Sequence, residues 1–388
     1  MLRIGVNALF LRKIDTGIGR VTKSLLEEIS KIDKENTYIL YLDQRANIKL
    51  PANFRTKIIS SHFYKREDLV KQTFWERITI SREAEKDKLD VFFSPYNAAT
   101  RFKEVPHVVL LHDVIWKVLA STYLYNFRRR IYAQQTFEAV RLAKKILTVS
   151  EFSKQEIKKY LGIDTSQIKV IGGGVSPDFR PLEKNDRKMR RTLLKFNIRS
   201  PYIFYVGGFE IRKNVPMLLK AFAKITKLYS GNLKDKILVI GGEPPEVRSP
   251  LLDDVRSIVS GLGINAQVRF TGRLTDEELV HLYNSADFFV FPSLYEGFGL
   301  TVLEAMACGV PIIASQIGPV KEVAGQAVSY FHPEREDELI QSMNRFLVDE
   351  VLKEELKVRA INRSKDFNWE KPAKILLEEL RSCARIRG

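Results

Sequence analysis

Two carboxylates bracket a glycine turn in Glu296-Gly-Phe-Gly-Leu-Thr-Val-Leu-Glu304-Ala-Met-Ala-Cys-Gly. An apolar run, Phe288 to Phe291, enters this stretch like a buried strand. Pro292, Gly297 and Gly299 turn the chain, and a helix is expected from about Leu300 to Cys308, stopped by Gly309. A helix opening from a glycine turn presents unpaired backbone N–H groups and a positive dipole end, which suits a phosphate. Charged acceptors on either side are what sugar or ribose hydroxyls need beside a bound diphosphate. Two plainer readings stand next to this one. Thr301 and Glu304 have the spacing of a capping box, and Glu296 reads equally as a solvated loop residue.

Cations appear in a second glycine-bearing stretch, Tyr205-Val-Gly207-Gly208-Phe-Glu-Ile-Arg212-Lys213-Asn214, between a strand run and a helix run. Adjacent Arg and Lys beside a glycine turn can neutralise a diphosphate leaving group as charge develops on it. As residue types they suit a solvated loop as well. His112-Asp113 closes another strand run, where the pair suits general-base chemistry or a satisfied, partly buried histidine. Gly17-Ile-Gly19 follows the first strand and precedes an amphipathic helix with Val21, Leu25, Leu26 and Ile29 on one face. That is again a phosphate-type element, although G-x-G alone is weakly specific.

The elements that must position these residues alternate. Strand runs at Leu2–Asn7, Tyr38–Leu42, Val91–Phe93, Val108–Leu111 and Ile146–Ser150 are interspersed with helical patterns such as Phe127–Ala143 and Phe152–Leu161. A glycine- and proline-rich stretch, Val170–Pro181, leads into a charged segment, Glu183–Lys195, and reads as an interdomain linker. The alternation then restarts at Tyr202–Val206, Ile237–Ile240, Val268–Thr271, Phe288–Phe291 and Pro311–Ala314. Strands alternating with helices predict parallel sheets covered on both faces. The expected division is 1–181, 182–366 and a C-terminal helix in 367–388, with Trp369–Arg385 as the candidate helix.

Composition sets the frame. A chain of 388 residues with 45% hydrophobic and 28% charged residues suits a soluble protein of two or three domains. No apolar run reaches the roughly 18 residues of a membrane span. Val105–Ala120 comes nearest and is broken by His107, His112, Asp113 and Lys117. The N-terminus reads as a strand rather than a signal peptide, and Cys308 and Cys383 suggest neither a disulfide framework nor a metal site, so the cytoplasm is the expected compartment.

The Glu296–Glu304 string resembles, without a gap, the E-x7-E signature of retaining glycosyltransferases with the GT-B fold, in particular family 4 (group 1). The resemblance implies an α/β protein of two Rossmann-like domains facing a central cleft. The acceptor would lie mainly on the first domain and the nucleotide sugar on the second, with the last helix crossing back to the first. It implies that Glu304 holds the ribose hydroxyls and Glu296 the donor hexose, while Phe298, Gly299 and Leu300 offer backbone N–H groups to the diphosphate. Gly17 and Gly19 match the family's first glycine loop, which approaches donor phosphates and acceptor. His112 matches a histidine that contacts the transferred sugar, with Asp113 as its possible orienting partner. Gly207-Gly208 through Lys213 looks like the diphosphate-binding segment. Many members carry Arg after the first glycine; Gly208 stands there here, and the ending Arg-Lys-Asn resembles a subgroup often using GDP-mannose, so Arg212 is expected to replace that Arg. Backbone around Arg269–Leu274 is expected to meet the nucleobase. Ser150 reads as a plain N-cap.

The resemblance implies transfer of a hexose, expected to be mannose from GDP-mannose, to a saccharide or lipid-linked saccharide in cell-surface polysaccharide or lipopolysaccharide synthesis. Arg212 and Lys213 would do the work of a metal, so neither a metal nor a further cofactor is expected. A UDP-hexose transferase and a nucleotide-sugar epimerase of the same fold are the alternatives. A dinucleotide-dependent oxidoreductase would want a third glycine after Gly17-x-Gly19. Net charge is +16, and residues 1–180 hold 32 Lys or Arg against 20 Asp or Glu, a net of +12. No nucleic-acid motif accompanies this charge, and no nucleic-acid partner is expected. Arg128-Arg129-Arg130 with Tyr123, Tyr125, Phe127 and Tyr132 suits an anionic membrane surface or a solvated helix face.

Overall fold

The computed structural model describes residues 1–14, 16–59, 69–183, 186–199, 201–228, 236–246 and 249–384. The chain divides into two compact units, Met1–Gly174 with Asn368–Gly388, and Val175–Phe367. Each is an α/β unit built on one parallel sheet. The first contains β1 (Arg3–Asn7), β2 (Thr37–Leu42), β3 (Phe54–Ile58), β4 (Val91–Ser94), β5 (His107–Leu110), β6 (Lys145–Thr148) and β7 (Ile168–Val170), in the order β3-β2-β1-β4-β5-β6-β7. The second contains β8 (Ile203–Val206), β9 (Leu238–Gly241), β10 (Val268–Phe270), β11 (Phe288–Phe291), β12 (Ile312–Ser315) and β13 (Ser329–Phe331), in the order β10-β9-β8-β11-β12-β13. The expected pair of Rossmann-like sheets is present.

Central parallel strands are covered on both faces and so read as unbroken apolar runs. Val91-Phe-Phe-Ser and Phe288-Phe-Val-Phe are buried at every position. The three strands that sequence periodicity did not mark, β3, β7 and β13, are edge or near-polar strands. β3, Phe54-Arg-Thr-Lys-Ile, buries only its first residue and borders β2 alone. Its place is decided by pairing with β2 from Tyr38–Phe54 to Leu42–Ile58, not by its own pattern.

Two helices depart from expectation. The first runs Gly17–Ile32, so both glycines lie inside its first turn rather than in a preceding loop. Thr16 caps it, its Oγ1 accepting from Gly19 N at 3.2 Å, and Val21, Leu25, Leu26 and Ile29 are buried as the periodicity requires. The charged segment after the expected linker forms a helix, Arg187–Lys195, capped by Asp186, which accepts from Lys188 N and Met189 N. It packs on helix Asp276–Ser285, where Thr192 Oγ1 and His281 Nδ1 share a buried hydrogen bond of 2.8 Å. A single buried face among five basic residues hides such a helix from a composition reading.

The last helix, Glu370–Cys383, packs on helix Gly17–Ile32 and reaches β4, β5 and β6 of the first unit. It buries Ala373, Leu376, Leu377, Leu380 and Cys383. Asp15, beside the first glycines, and Arg385, the expected end of the last helix, lie outside the described residues.

The two early glycines are not equivalent. A Cβ on Gly19 would sit 2.1 Å from the Lys13 carbonyl oxygen and 2.9 Å from Ile14 Cα, whereas nothing lies within 4 Å of one on Gly17. Gly19→Ala is therefore expected to cost about 1–3 kcal/mol through overpacking against backbone, and Gly17→Ala to be neutral or to stabilise by about 0.5 kcal/mol. Urea unfolding of the two variants reads the difference; equal stabilities would overturn it.

Candidate functional site

In an open parallel sheet, the loops leaving two neighbouring strands diverge where strand order reverses, opening a crevice at their C-terminal ends. In the second unit that point lies between β8 and β11, paired through Ile203–Phe288 and Phe204–Phe289. Gly207–Asn214 leaves β8 and Pro292–Gly299 leaves β11. Strand order thus sets Arg212, Lys213 and Glu296 side by side, although more than eighty residues separate them in sequence.

Glu296 is buried and carries both cations. Its Oε2 accepts from Arg212 Nη1 at 2.7 Å, and its Oε1 accepts from Lys213 Nζ at 2.6 Å. Arg212 Nε also donates to Glu210 Oε2 at 2.6 Å. Backbone fastens the same loops: Leu294 N donates to the Arg212 carbonyl at 2.7 Å, and Arg212 Nη1 reaches the Tyr295 carbonyl at 3.3 Å. Lys213 Nζ lies 5.7 Å from the centre of the Phe291 ring, within cation–π range. Burial alone would raise the Glu296 carboxyl, but the Arg212 and Lys213 charges bring it down to about 2. Burial pushes the Lys213 ammonium down, against the pull of Glu296. The solvated-loop readings of Glu296 and of the Arg-Lys pair are therefore set aside.

Gly207 and Gly208 start this loop. Tyr205 Oη donates to the Gly208 carbonyl at 2.8 Å, and a Cβ on Gly207 would stand 2.7 Å from that hydroxyl. Nothing lies within 4 Å of a Cβ on Gly208, so the Gly208 backbone borders open space. Asn214 ends the loop at φ 54°, its Nδ2 donating to the Pro333 carbonyl at 3.1 Å.

The helix after β11 runs Leu300–Cys308 as expected, but its N-cap is Gly299 at φ 111°, with no side-chain cap. Thr301 and Glu304 therefore do not form a capping box. Glu304 lies one turn in, 5% exposed, and Phe298 and Leu300 flank the cap. A helix start with no capping side chain keeps its first N–H groups for another acceptor.

In the first unit the order reverses between β1 and β4, and the residues singled out there gather near that point. His112 follows β5, and its Nε2 lies 2.8 Å from the Pro95 carbonyl just after β4. A carbonyl only accepts, so Nε2 carries the proton and Nδ1 keeps its lone pair. Burial lowers the His112 pKa, while the Pro95 carbonyl and the Asp113 charge oppose that. Asp113, whose charge acts on the ring, has its Oδ1 accepting from Ile115 N at 3.0 Å. Ser150 caps helix Glu151–Leu161, accepting from Ser153 N at 3.0 Å. His107 is a satisfied core histidine, bonded to Ser94 Oγ at 2.9 Å.

Sequence reading missed three acidic residues. Glu210 has no motif signal but completes the ion cluster. Asp253, whose backbone N donates to the Phe209 carbonyl at 2.8 Å, has its carboxyl pushed up to about 6 by burial. Glu76, fully buried, accepts from Tyr96 Oη and Gln72 Nε2 at 2.7 Å each and from Ala99 N at 2.8 Å. Nothing in Trp75–Ile80, three of whose six residues are polar, distinguished it beforehand. Among the described residues no group of three or more His, Cys, Asp or Glu side chains is placed to hold a metal ion, and no helix is long and apolar enough to cross a membrane.

Comparison with solved structures shows the same fold throughout. Sucrose-phosphate synthase from Thermosynechococcus elongatus matches with a TM-score of 0.78 at 18% identity, over 98% of this chain and 99% of that one. WaaG, a glycosyltransferase involved in lipopolysaccharide biosynthesis, matches with a TM-score of 0.74 at 15% identity, over 98% and 99%. The architecture is that of GT-B glycosyltransferases. The model described as Glycosyltransferase Family 4 matches residues 16–179, and that described as Glycosyl transferases group 1 matches residues 187–366. The chain belongs to the family 4, group 1 glycosyltransferases. Among curated relatives, the O-antigen chain mannosyltransferase B of Escherichia coli is 27% identical over 92% of this chain and 93% of its own length. The serotype-specific mannosyltransferase WbdA of Escherichia coli is 29% identical over 70% of this chain, and the match spans 33% of that relative's length.

The ion cluster sets an acid limit. A carboxyl at about 2 when folded, against 4.5 ordinarily, adds stability that is complete above pH 4.5 and is lost as pH falls toward 2. The thermal midpoint of the protein is expected to fall over that window. Glu296→Gln should start roughly 2 kcal/mol less stable at neutral pH, with two cations left without a counter-charge, and show a shallower acid slope. Identical slopes for the two proteins would remove Glu296 from this role.

Proposed function

We propose that this protein transfers a hexose, mannose from GDP-mannose, with retention of configuration, onto a saccharide or lipid-linked saccharide acceptor in cell-surface polysaccharide or lipopolysaccharide synthesis. The observation that carries the proposal is the Arg212–Lys213–Glu296 cluster at the strand reversal, beside the uncapped start of helix Leu300–Cys308. The names of the relatives support mannose: both Escherichia coli proteins are described as mannosyltransferases.

The chemistry follows from the charges. A departing nucleoside diphosphate gains negative charge as the sugar bond breaks, and fixed cations aimed at it lower that barrier without reorganising. Arg212 and Lys213 are already held in place by a carboxylate, so a diphosphate takes over cations that are positioned in advance. Backbone N–H groups at Phe298, Gly299 and Leu300 supply the remaining stabilisation, and Glu304 accepts from the ribose hydroxyls. Glu296, its cations engaged by phosphate, accepts from the hexose. His112, neutral and with Nδ1 able to accept, suits hydroxyl positioning rather than strong base catalysis. Gly17 and Gly19 would border donor phosphates and acceptor at the start of their helix. In this reading the two cations do what Mg²⁺ does in other enzymes, and turnover needs no metal.

Thermal stabilisation by GDP, UDP, ADP and NAD, measured side by side in EDTA, tests the donor. Ligand at 100 times its dissociation constant should add about 2.7 kcal/mol. A shift selective for GDP and weakened by Glu304→Ala is expected. A UDP-selective shift would move the donor to a UDP-hexose and open the way to an epimerase; no shift with any nucleoside diphosphate would overturn the assignment of the site. Arg212→Ala should lower turnover of GDP-mannose by about 10²–10³-fold with GDP binding less affected. Unchanged turnover would remove Arg212 from the reaction.

A further inference from the structure

The first unit holds a cavity of about 330 Å³ that the donor chemistry does not use. Four cationic side chains line it, Arg12, Lys13, Arg128 and Arg129, and no Asp or Glu is among its described lining residues. Arg12 is ion-paired with Asp43, which lies outside the lining. Arg128 and Arg129 make no ion pair among the described residues, and the Arg129 guanidinium stacks over the Tyr125 ring at 5.3 Å.

The walls are held from behind. Gln72 Nε2 is bound at 2.7 Å by Glu76, which is fully buried and also takes the Tyr96 hydroxyl and Ala99 N. Phe10, also in the lining, packs edge-on against the same Tyr96, with ring centres 4.6 Å apart. Asn7 Nδ2 donates to Tyr96 Oη at 2.9 Å, tying the cluster to the end of β1. A buried network of this kind fixes the shape of a site before any ligand arrives.

We propose that this cavity binds a phosphate ester, the anionic group of the acceptor; it rests on the transferase reading only in calling the occupant an acceptor. Guanidinium forks match phosphate oxygens in pairs, and Arg128 and Arg129, with no ion pair among the described residues, favour an anion bearing more than one charge. The volume stands at the lower end of the roughly 300–1,000 Å³ of small-molecule sites, room for a phosphate together with the sugar or glycerol it esterifies. On the same helix as Arg128 and Arg129, Phe127 is 74% exposed and Ile131 38% exposed. Exposed apolar side chains on that helix suit a phosphate borne on a lipid, and a soluble sugar phosphate presents the same chemistry.

The test compares the protein with its Arg128→Ala/Arg129→Ala variant, each saturated with GDP so that the second unit's cations are occupied. Titration with inorganic pyrophosphate should show about tenfold weaker binding in the variant, with both affinities falling as salt rises. Arg128 is exposed and Arg129 half-buried, so the thermal midpoint and the GDP shift should be retained. Equal pyrophosphate affinities in the two proteins would overturn the proposal, as would no binding by either. Sedimentation with phosphatidylglycerol vesicles, and not with phosphatidylcholine vesicles, lost in the variant, would support a lipid-borne phosphate; pyrophosphate binding without vesicle binding would support a soluble ester. Should GDP fail to bind while the pyrophosphate difference persists, the transferase reading falls and the anion site stands.

Discussion

The reversal of strand order between β8 and β11 is the constraint on which the second unit's chemistry depends. Parallel strands deliver every loop to the same end of the sheet, and reversal forces two of those loops apart while keeping their first residues in contact. Charges brought together in that crevice lose much of their hydration and must find partners. Glu296 meets that requirement by taking Arg212 and Lys213 at once, and the Leu294–Arg212 backbone bond locks the two loops in register. The cluster with Glu210 is close to neutral overall. A phosphate arriving there exchanges partners with a carboxylate rather than gathering mobile cations, and the entropy of ordering two long side chains is already spent in the folded chain.

The first unit solves the same geometric problem with less charge. Its reversal, between β1 and β4, is closed by Asn7 donating to Tyr96 and by Tyr96 donating to Glu76. Pro95, next in the chain, accepts from His112. Glu76 accepts hydrogen bonds from Ala99 N, Gln72, Tyr96 and Tyr132 in full burial, and burial still raises its carboxyl to about 7. Near neutral pH it therefore sits close to its own titration point, in contrast to Glu296, whose ion partners hold it charged. Direct cation pairing separates the two carboxylates, since both are buried.

Glycine serves two distinct ends in these units. Gly19 is required by a close approach: the Lys13 carbonyl occupies the place of a Cβ. Gly299 is required by conformation: its φ of 111° lies where side-chain-bearing residues are strained, while a Cβ there would meet only ordinary contacts, Val320 at 3.7 Å and Val302 at 4.0 Å. Both positions start helices that follow a strand through a connecting loop. Only the second leaves its helix without a side-chain cap, because Thr16 fills that role in the first.

The sequence by itself determined the sheet-forming runs, the glycine turns and the residue types of the site. Phe288–Phe291 is the buried strand that its apolar run suggested, and Gly309, at φ 73°, stops its helix where read. These features are local, written in side-chain polarity and backbone freedom within a few residues. Tertiary structure decided what local pattern does not carry. It made Phe54–Ile58 an edge strand through its neighbour β2, and Arg187–Lys195 a helix through one buried face. It turned Glu296 from a loop acid into the counter-charge of Arg212 and Lys213, and set the His112 ring against the Pro95 carbonyl. The reason is the same in each case: pairing energies depend on distances between residues far apart in the chain, and those distances exist only after the strands have taken their order.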